Sequence, residues 1–105
     1  MTTTVKNVKT KDVKKEKKSL TRHLKIGGHD YTLIFSQTME ELGKTIYNDR
    51  VILINADANR SIQESTLIHE IIHAMNSQLD HTLLDSLAEQ LYQVLKDNNL
   101  LKKMF

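Results

Sequence analysis

The chain has 105 residues, 39% of them hydrophobic and 27% charged, and a formal net charge of +2. That length suits one small domain with a single core, and the absence of cysteine excludes disulfides, thiol catalysis and Cys-ligated zinc fingers. Proline and tryptophan are absent too, and the three glycines provide no phosphate-cradling loop.

Charge is unevenly distributed. Residues 1–18 carry seven lysines against Asp12 and Glu16, a net +5, whereas 19–105 is mildly acidic at −3. A lysine run with isolated valines cannot bury enough surface to offset its ordering entropy, so 1–19 is read as a disordered basic arm. Such an arm attracts an acidic partner or nucleic acid non-specifically. No aromatic residue interleaves the lysines for base stacking, which makes nucleic acid the weaker of the two. No run reaches the roughly 18 apolar residues of a membrane span and no signal-peptide pattern opens the chain, so the expectation is a cytoplasmic protein with no membrane contact.

Structured periodicity starts at Leu20, and 20–105 is read as the folded domain. Leu20 to Ile26 alternates loosely, Gly27-Gly28-His29-Asp30 supplies turn chemistry, and Tyr31 to Phe35 is aromatic and β-branched, which predicts a β-hairpin. Met39 to Gly43 is read as a short helical turn ending at Gly43. Thr45-Ile46-Tyr47 and Arg50 to Asn55 about Asn48-Asp49 predict a second hairpin, with Val51-Ile52-Leu53-Ile54 apolar enough for a strand covered on both faces.

Two helices follow. Ser61 and Glu64 form a capping-box pattern, and apolar positions 67, 68, 71, 72 and 75 extend a helix from Ser61 or Ile62 to about Gln78. After a loop around Leu79 to His81, Thr82 with Asp85 offers the next cap. Leu83, Leu84, Leu87, Leu91, Val94 and Leu95 carry the second helix to about Asp97, where Asn98-Asn99 ends it. Strands first and helices second give an α+β class: a small antiparallel sheet of two hairpins, then two helices.

The first of these helices contains His69-Glu70-Ile71-Ile72-His73. Residues i and i+4 share a helix face, so His69 and His73 can reach one metal ion. Glu70, about 100° round the helix, stands beside the metal's open position as a general base. A Zn²⁺ there lowers the pKa of its water towards about 7, and Glu70 can take that proton during attack on a carbonyl. With five His and six Glu in the chain, chance alone yields the motif on the order of 1% of the time. Its place mid-helix after a sheet adds weight. A catalytic zinc needs a third protein ligand, and His81, Asp85 and Glu89 compete for it. His81 reads as a surface loop residue, Asp85 is nearest if the helices pack antiparallel, and Glu89 has the longer reach. His23 and His29 receive no role, and Tyr92 is more simply a core-edge residue than an oxyanion donor.

His69 to His73, followed by the stretch Leu84 to Asp97, resembles the small zincin-like proteins of phages and mobile elements in Gram-positive bacteria, grouped with the ImmA/IrrE-type metallopeptidases. The resemblance covers roughly Leu20 to Asn98 and leaves the lysine arm unmatched. In that family a Glu-x-x-Ala-Asn pattern on the second helix supplies the third ligand. Here Asp85-Ser86-Leu87-Ala88-Glu89 stands in its place, so Asp85 inherits the role with Glu89 in reserve. The resemblance implies a minimal zincin-like fold and one Zn²⁺ per chain. It also implies a peptidase in the cytoplasm of a bacterial host that cuts one specific protein partner. The alternative is a phage-encoded binding or inhibitor module that keeps the zincin fold and acts on a host protein or nucleic acid without catalysis.

Overall fold

In the computed structural model, which describes residues 20–101, the chain opens with the first expected hairpin. The basic arm proposed for 1–19 lies outside the described residues. Strands β1 (Leu20–Ile26) and β2 (His29–Ser36) pair antiparallel, with Leu20 opposite Phe35 and Ile26 opposite His29. Gly27 and Gly28 between them have φ of 59° and 80°. Two successive left-handed residues make the tight turn whose twist matches the strands, and glycine adopts both at no steric cost.

Strands β3 (Gly43–Ile46) and β4 (Val51–Asn55) form the second hairpin, with Gly43 opposite Ile54. β4 also pairs with β2, and here the strands run parallel, with Thr32 opposite Val51. The order β1-β2-β4-β3 is therefore a mixed sheet rather than two separate antiparallel hairpins. Hydrophobicity accounts for the placement. Val51 to Ile54, the most apolar strand, takes an interior position, while short β3 with its exposed Lys44 becomes an edge. β4 is not covered on both faces: Ile52 and Ile54 are buried, whereas Val51 and Leu53 are half-buried. Met39 to Gly43 is not helical. The Asn55 side-chain amide donates to the carbonyls of Met39 and Glu41 and holds that segment as an irregular connection.

Helices α1 (Arg60–Met75) and α2 (His81–Asp97) complete the chain. Both are capped two residues before the expected position. Asn59 Oδ1 accepts from the Ile62 N–H at 2.9 Å, and Asp80 Oδ2 accepts from the Leu83 N–H at 3.2 Å. Ser61 instead donates its hydroxyl to Asn59. Asn and Asp cap at least as well as Ser and Thr, so the earlier residues take the position. α1 stops at Met75, short of Gln78, and the Asn76 N–H bonds the Ile72 carbonyl. At the end of α2, Asn99 at φ 61° turns the chain back. The Leu100 N–H reaches Leu95 O at 2.8 Å and the Asn99 N–H reaches Lys96 O at 3.2 Å, the bond pair of a Schellman motif.

α1 lies between two apolar clusters. Its Leu67, with Ile71 and Ala74, packs on Ile26, Tyr31, Leu33, Phe35, Ile52 and Ile54 of the sheet. Its Ile68 and Ile72 pack on Leu84 and Ala88 of α2 and on Leu101, which the returning chain delivers. Among the described residues α2 packs on α1 and on none of the strands. Among the described residues no helix is long and apolar enough to cross a membrane.

A buried carboxylate also joins the helices. Glu64 is 4% exposed; its Oε1 accepts from Lys96 Nζ at 2.8 Å and Tyr92 Oη at 3.0 Å, and Arg60 Nη1 lies 4.0 Å from its Oε2. Burial pushes the Glu64 carboxyl up, but the hydrogen bonds from Lys96 and Tyr92, with the charges of Lys96 and Arg60, outweigh it and hold the pKa below its ordinary value.

Two measurements check this packing. Leu84 has no exposed surface, so Leu84→Ala lowers unfolding free energy by about 2–5 kcal/mol in urea titrations. A depressed folded-state pKa stabilises above the unfolded value and is lost as pH falls through the folded one. The stability gap between wild type and Glu64→Gln is therefore full at pH 7 and shrinks as pH drops below the ordinary carboxylate range.

Candidate metal centre

His69 and His73 stand on one face of α1 with ring centroids 4.8 Å apart. Donor atoms of His69, Glu70 and His73 all lie within 4.8 Å of one another. Two imidazoles and a carboxylate gathered so closely fit a small divalent cation of the Zn²⁺ type in donor chemistry and spacing.

Glu70 is 7% exposed, and a carboxylate taken that far from water needs a partner. β3 supplies one: Thr45 Oγ1 donates to Glu70 Oε1 at 2.6 Å. The strand can come this close because position 43 has no side chain. A Cβ there would collide with Thr66 Cγ2 and lie 3.2 Å from Glu70 Cγ.

Just beyond β3, Tyr47 donates its hydroxyl to the His73 carbonyl at 3.3 Å, and the same oxygen lies 3.5 Å from His73 Nδ1. Burial, then the nearby Glu70 and Tyr31, push the Tyr47 phenol up, so it stays protonated near neutrality. Burial pushes the His73 imidazole down. Glu70 opposes that shift most strongly among the charges, while His69 and His81 reinforce it. A lowered pKa keeps His73 neutral and able to ligate.

α2 closes the other side. Its pairing with α1 runs antiparallel in successive rungs: Lys96 with Glu64, Asp85 with His69, His81 with His73. Asp85 Oδ1 is 3.4 Å from His69 Nδ1. His81 is exposed and opens α2 rather than sitting in the preceding loop, with its ring centroid 5.2 Å from that of His73. Neither Asp85 nor His81 belongs to the close donor group of His69, Glu70 and His73. Glu89 lines the neighbouring cleft of about 330 Å³, which runs between Leu42-Gly43 and Asp85, Ala88 and Glu89 over Thr66, His69 and Glu70.

Tyr92 takes no part in the site, because its hydroxyl is committed to Glu64. His23 and His29 are exposed on β1 and β2. Thr45 and Tyr47 are the site residues that sequence reading passed over. Their i, i+2 spacing puts them on one side of an extended segment, but only the mixed sheet reveals that this side follows α1.

Comparison with protein-family models, with curated proteins and with solved structures found no match to this chain.

Thr45→Val removes the hydroxyl and leaves a buried carboxylate oxygen without its donor. Unfolding free energy is expected to fall by about 1–3 kcal/mol in chemical denaturation, with metal content per chain unchanged by elemental analysis.

Proposed function

We propose that this chain is a zinc-dependent peptidase of minimal size, with His69 and His73 as ligands for one Zn²⁺ and Glu70 as general base. The observation that carries the reading is the juxtaposition of two imidazoles with a buried carboxylate fixed at one oxygen by Thr45, beside an open cleft. The third ligand comes from α2, where the family resemblance assigns Asp85 with Glu89 behind it. A zinc ion bound there supplies Lewis acidity and lowers the pKa of water at its open position towards about 7.

Because Oε1 of Glu70 accepts from Thr45, Oε2 is left to take a proton from the attacking water and return it to the leaving amine. His69 and His73 must stay neutral to ligate, which suits the lowered pKa of His73. β3 is an edge strand that begins at the cleft, so an extended peptide can add to the sheet there and lie across Glu70. The substrate on this reading is a segment of one partner protein in the cytoplasm of a bacterial host.

A second reading, a binding module that retains the fold, draws support from α2. Its Leu83, Leu87, Leu91 and Val94 form a stripe 43–50% exposed, and apolar stripes of that kind mark protein contacts.

Elemental analysis and a proteome-derived peptide library, read by mass spectrometry of new termini, separate the two. The peptidase reading expects one zinc per wild-type chain, lost in His73→Ala, and cleavages that vanish with chelator and in Glu70→Gln, which keeps its zinc. Zinc-loaded wild type that cuts nothing in the library would leave the binding module in its place.

A further inference from the structure

We propose that the third protein ligand of this centre is His81, and that Asp85 and Tyr47 are positioning residues on the Nδ1 atoms of His69 and His73. The proposal rests on the metal-centre reading above and departs from its assignment of Asp85.

The argument starts from which nitrogen of each imidazole is already engaged. His69 turns Nδ1 to Asp85 Oδ1 at 3.4 Å, and His73 turns Nδ1 to Tyr47 Oη at 3.5 Å. Both rings are approached by oxygen on the same atom, which leaves Nε2 of both for a shared cation. A ligating histidine characteristically gives its other N–H to a carboxylate or a similar acceptor, which fixes the tautomer and the ring plane. Asp85 at 3.4 Å and Tyr47 at 3.5 Å stand nearest those two positions. With the Tyr47 hydroxyl proton donated to the His73 carbonyl, the Tyr47 oxygen can accept from Nδ1–H in the tautomer that leaves Nε2 for a metal.

An Asp85 so placed lies behind His69 rather than beside the Nε2 pair.

His81 is the other α2 side chain at this level. His81 and Asp85 are four apart on one helix and share a face, as His69 and His73 do on the facing helix. The ring of His81 stands edge-to-face against that of His73 at 5.2 Å between centroids. Neither nitrogen of His81 has a hydrogen-bond partner among the described residues. The side chain is exposed, so rotation about its first two bonds disturbs little besides its contact with the His73 ring. Three imidazoles with one open position is an established catalytic zinc set, and it leaves Glu70 free to act as base.

The test uses the full chain and zinc itself as the probe. X-ray absorption of the zinc-loaded wild type counts imidazoles around the ion: three are expected, and two would overturn the proposal. Competition with a chromophoric chelator then gives zinc Kd for variants of two exposed residues. His81→Ala is expected to weaken binding by more than about 100-fold, while Asp85→Asn, which keeps an acceptor for Nδ1–H, loses no more than the roughly 10- to 100-fold typical of an orienting group. Wild-type affinity in His81→Ala together with loss of zinc in Asp85→Asn overturns the proposal and restores Asp85. If His73→Ala also binds zinc like wild type, the metal centre fails, and His81 with it.

Discussion

Everything in this fold depends on α1 having to bury two faces at once. Leu67, Ile71 and Ala74 go to the sheet, and Ile68 and Ile72 go to α2. A helix with two covered flanks has a third strip left at the seam, and His69 and His73 fall on it with Glu70 at its inner border. The His69, Glu70 and His73 cluster is thereby placed where strand edge, helix and second helix meet, without a dedicated loop. Five residues separate α1 from α2, and that short connection leaves only an antiparallel return. The return sets which α2 side chain meets which histidine.

The same helix carries two buried carboxylates with opposite surroundings. Glu64 is held by Lys96 and Tyr92 and faces Arg60, so its charge is neutralised and joins the helices. Glu70 has a hydroxyl for its partner and no cation at hydrogen-bond distance among the described residues. Both are taken out of water by the same packing. One is given a counter-charge by the protein, and the other a neutral hydroxyl, beside two imidazoles.

Much of the fold was legible because its signals are local. Gly27-Gly28 between apolar runs specifies its hairpin, and the 67, 68, 71, 72 spacing specifies a helix with adjacent apolar faces. The His-Glu-x-x-His spacing likewise brings three donors together without knowledge of the fold. What escaped is non-local. Nothing in Val51 to Ile54 announces that it inserts beside β2 in parallel, because hydrophobicity selects an interior strand but not its neighbour. Thr45 and Tyr47 remained invisible as site residues for that reason: their role depends on β3 becoming the edge that runs along α1. The helix starts were misplaced by two residues where Asn59 and Asp80 outcompeted plausible hydroxyl caps. The shift at Asp80 matters most, since it moves His81 out of a loop and onto a helix that faces His73.

Among the described residues α2 packs on α1 and on none of the strands. Detaching α2 would leave the sheet contacts of Leu67, Ile71 and Ala74 in place, but would expose Ile68 and Ile72 and strip the Glu64 carboxylate of Lys96 and Tyr92. Detachment removes Asp85 and His81 from the histidines but leaves His69, Glu70 and Thr45 where they are. The constellation is thus divided between two packing units, His69, Glu70 and Thr45 on the sheet side and Asp85 and His81 on a helix joined to it through α1 alone, so any ligand that bridged the two sides would also tie α2 down.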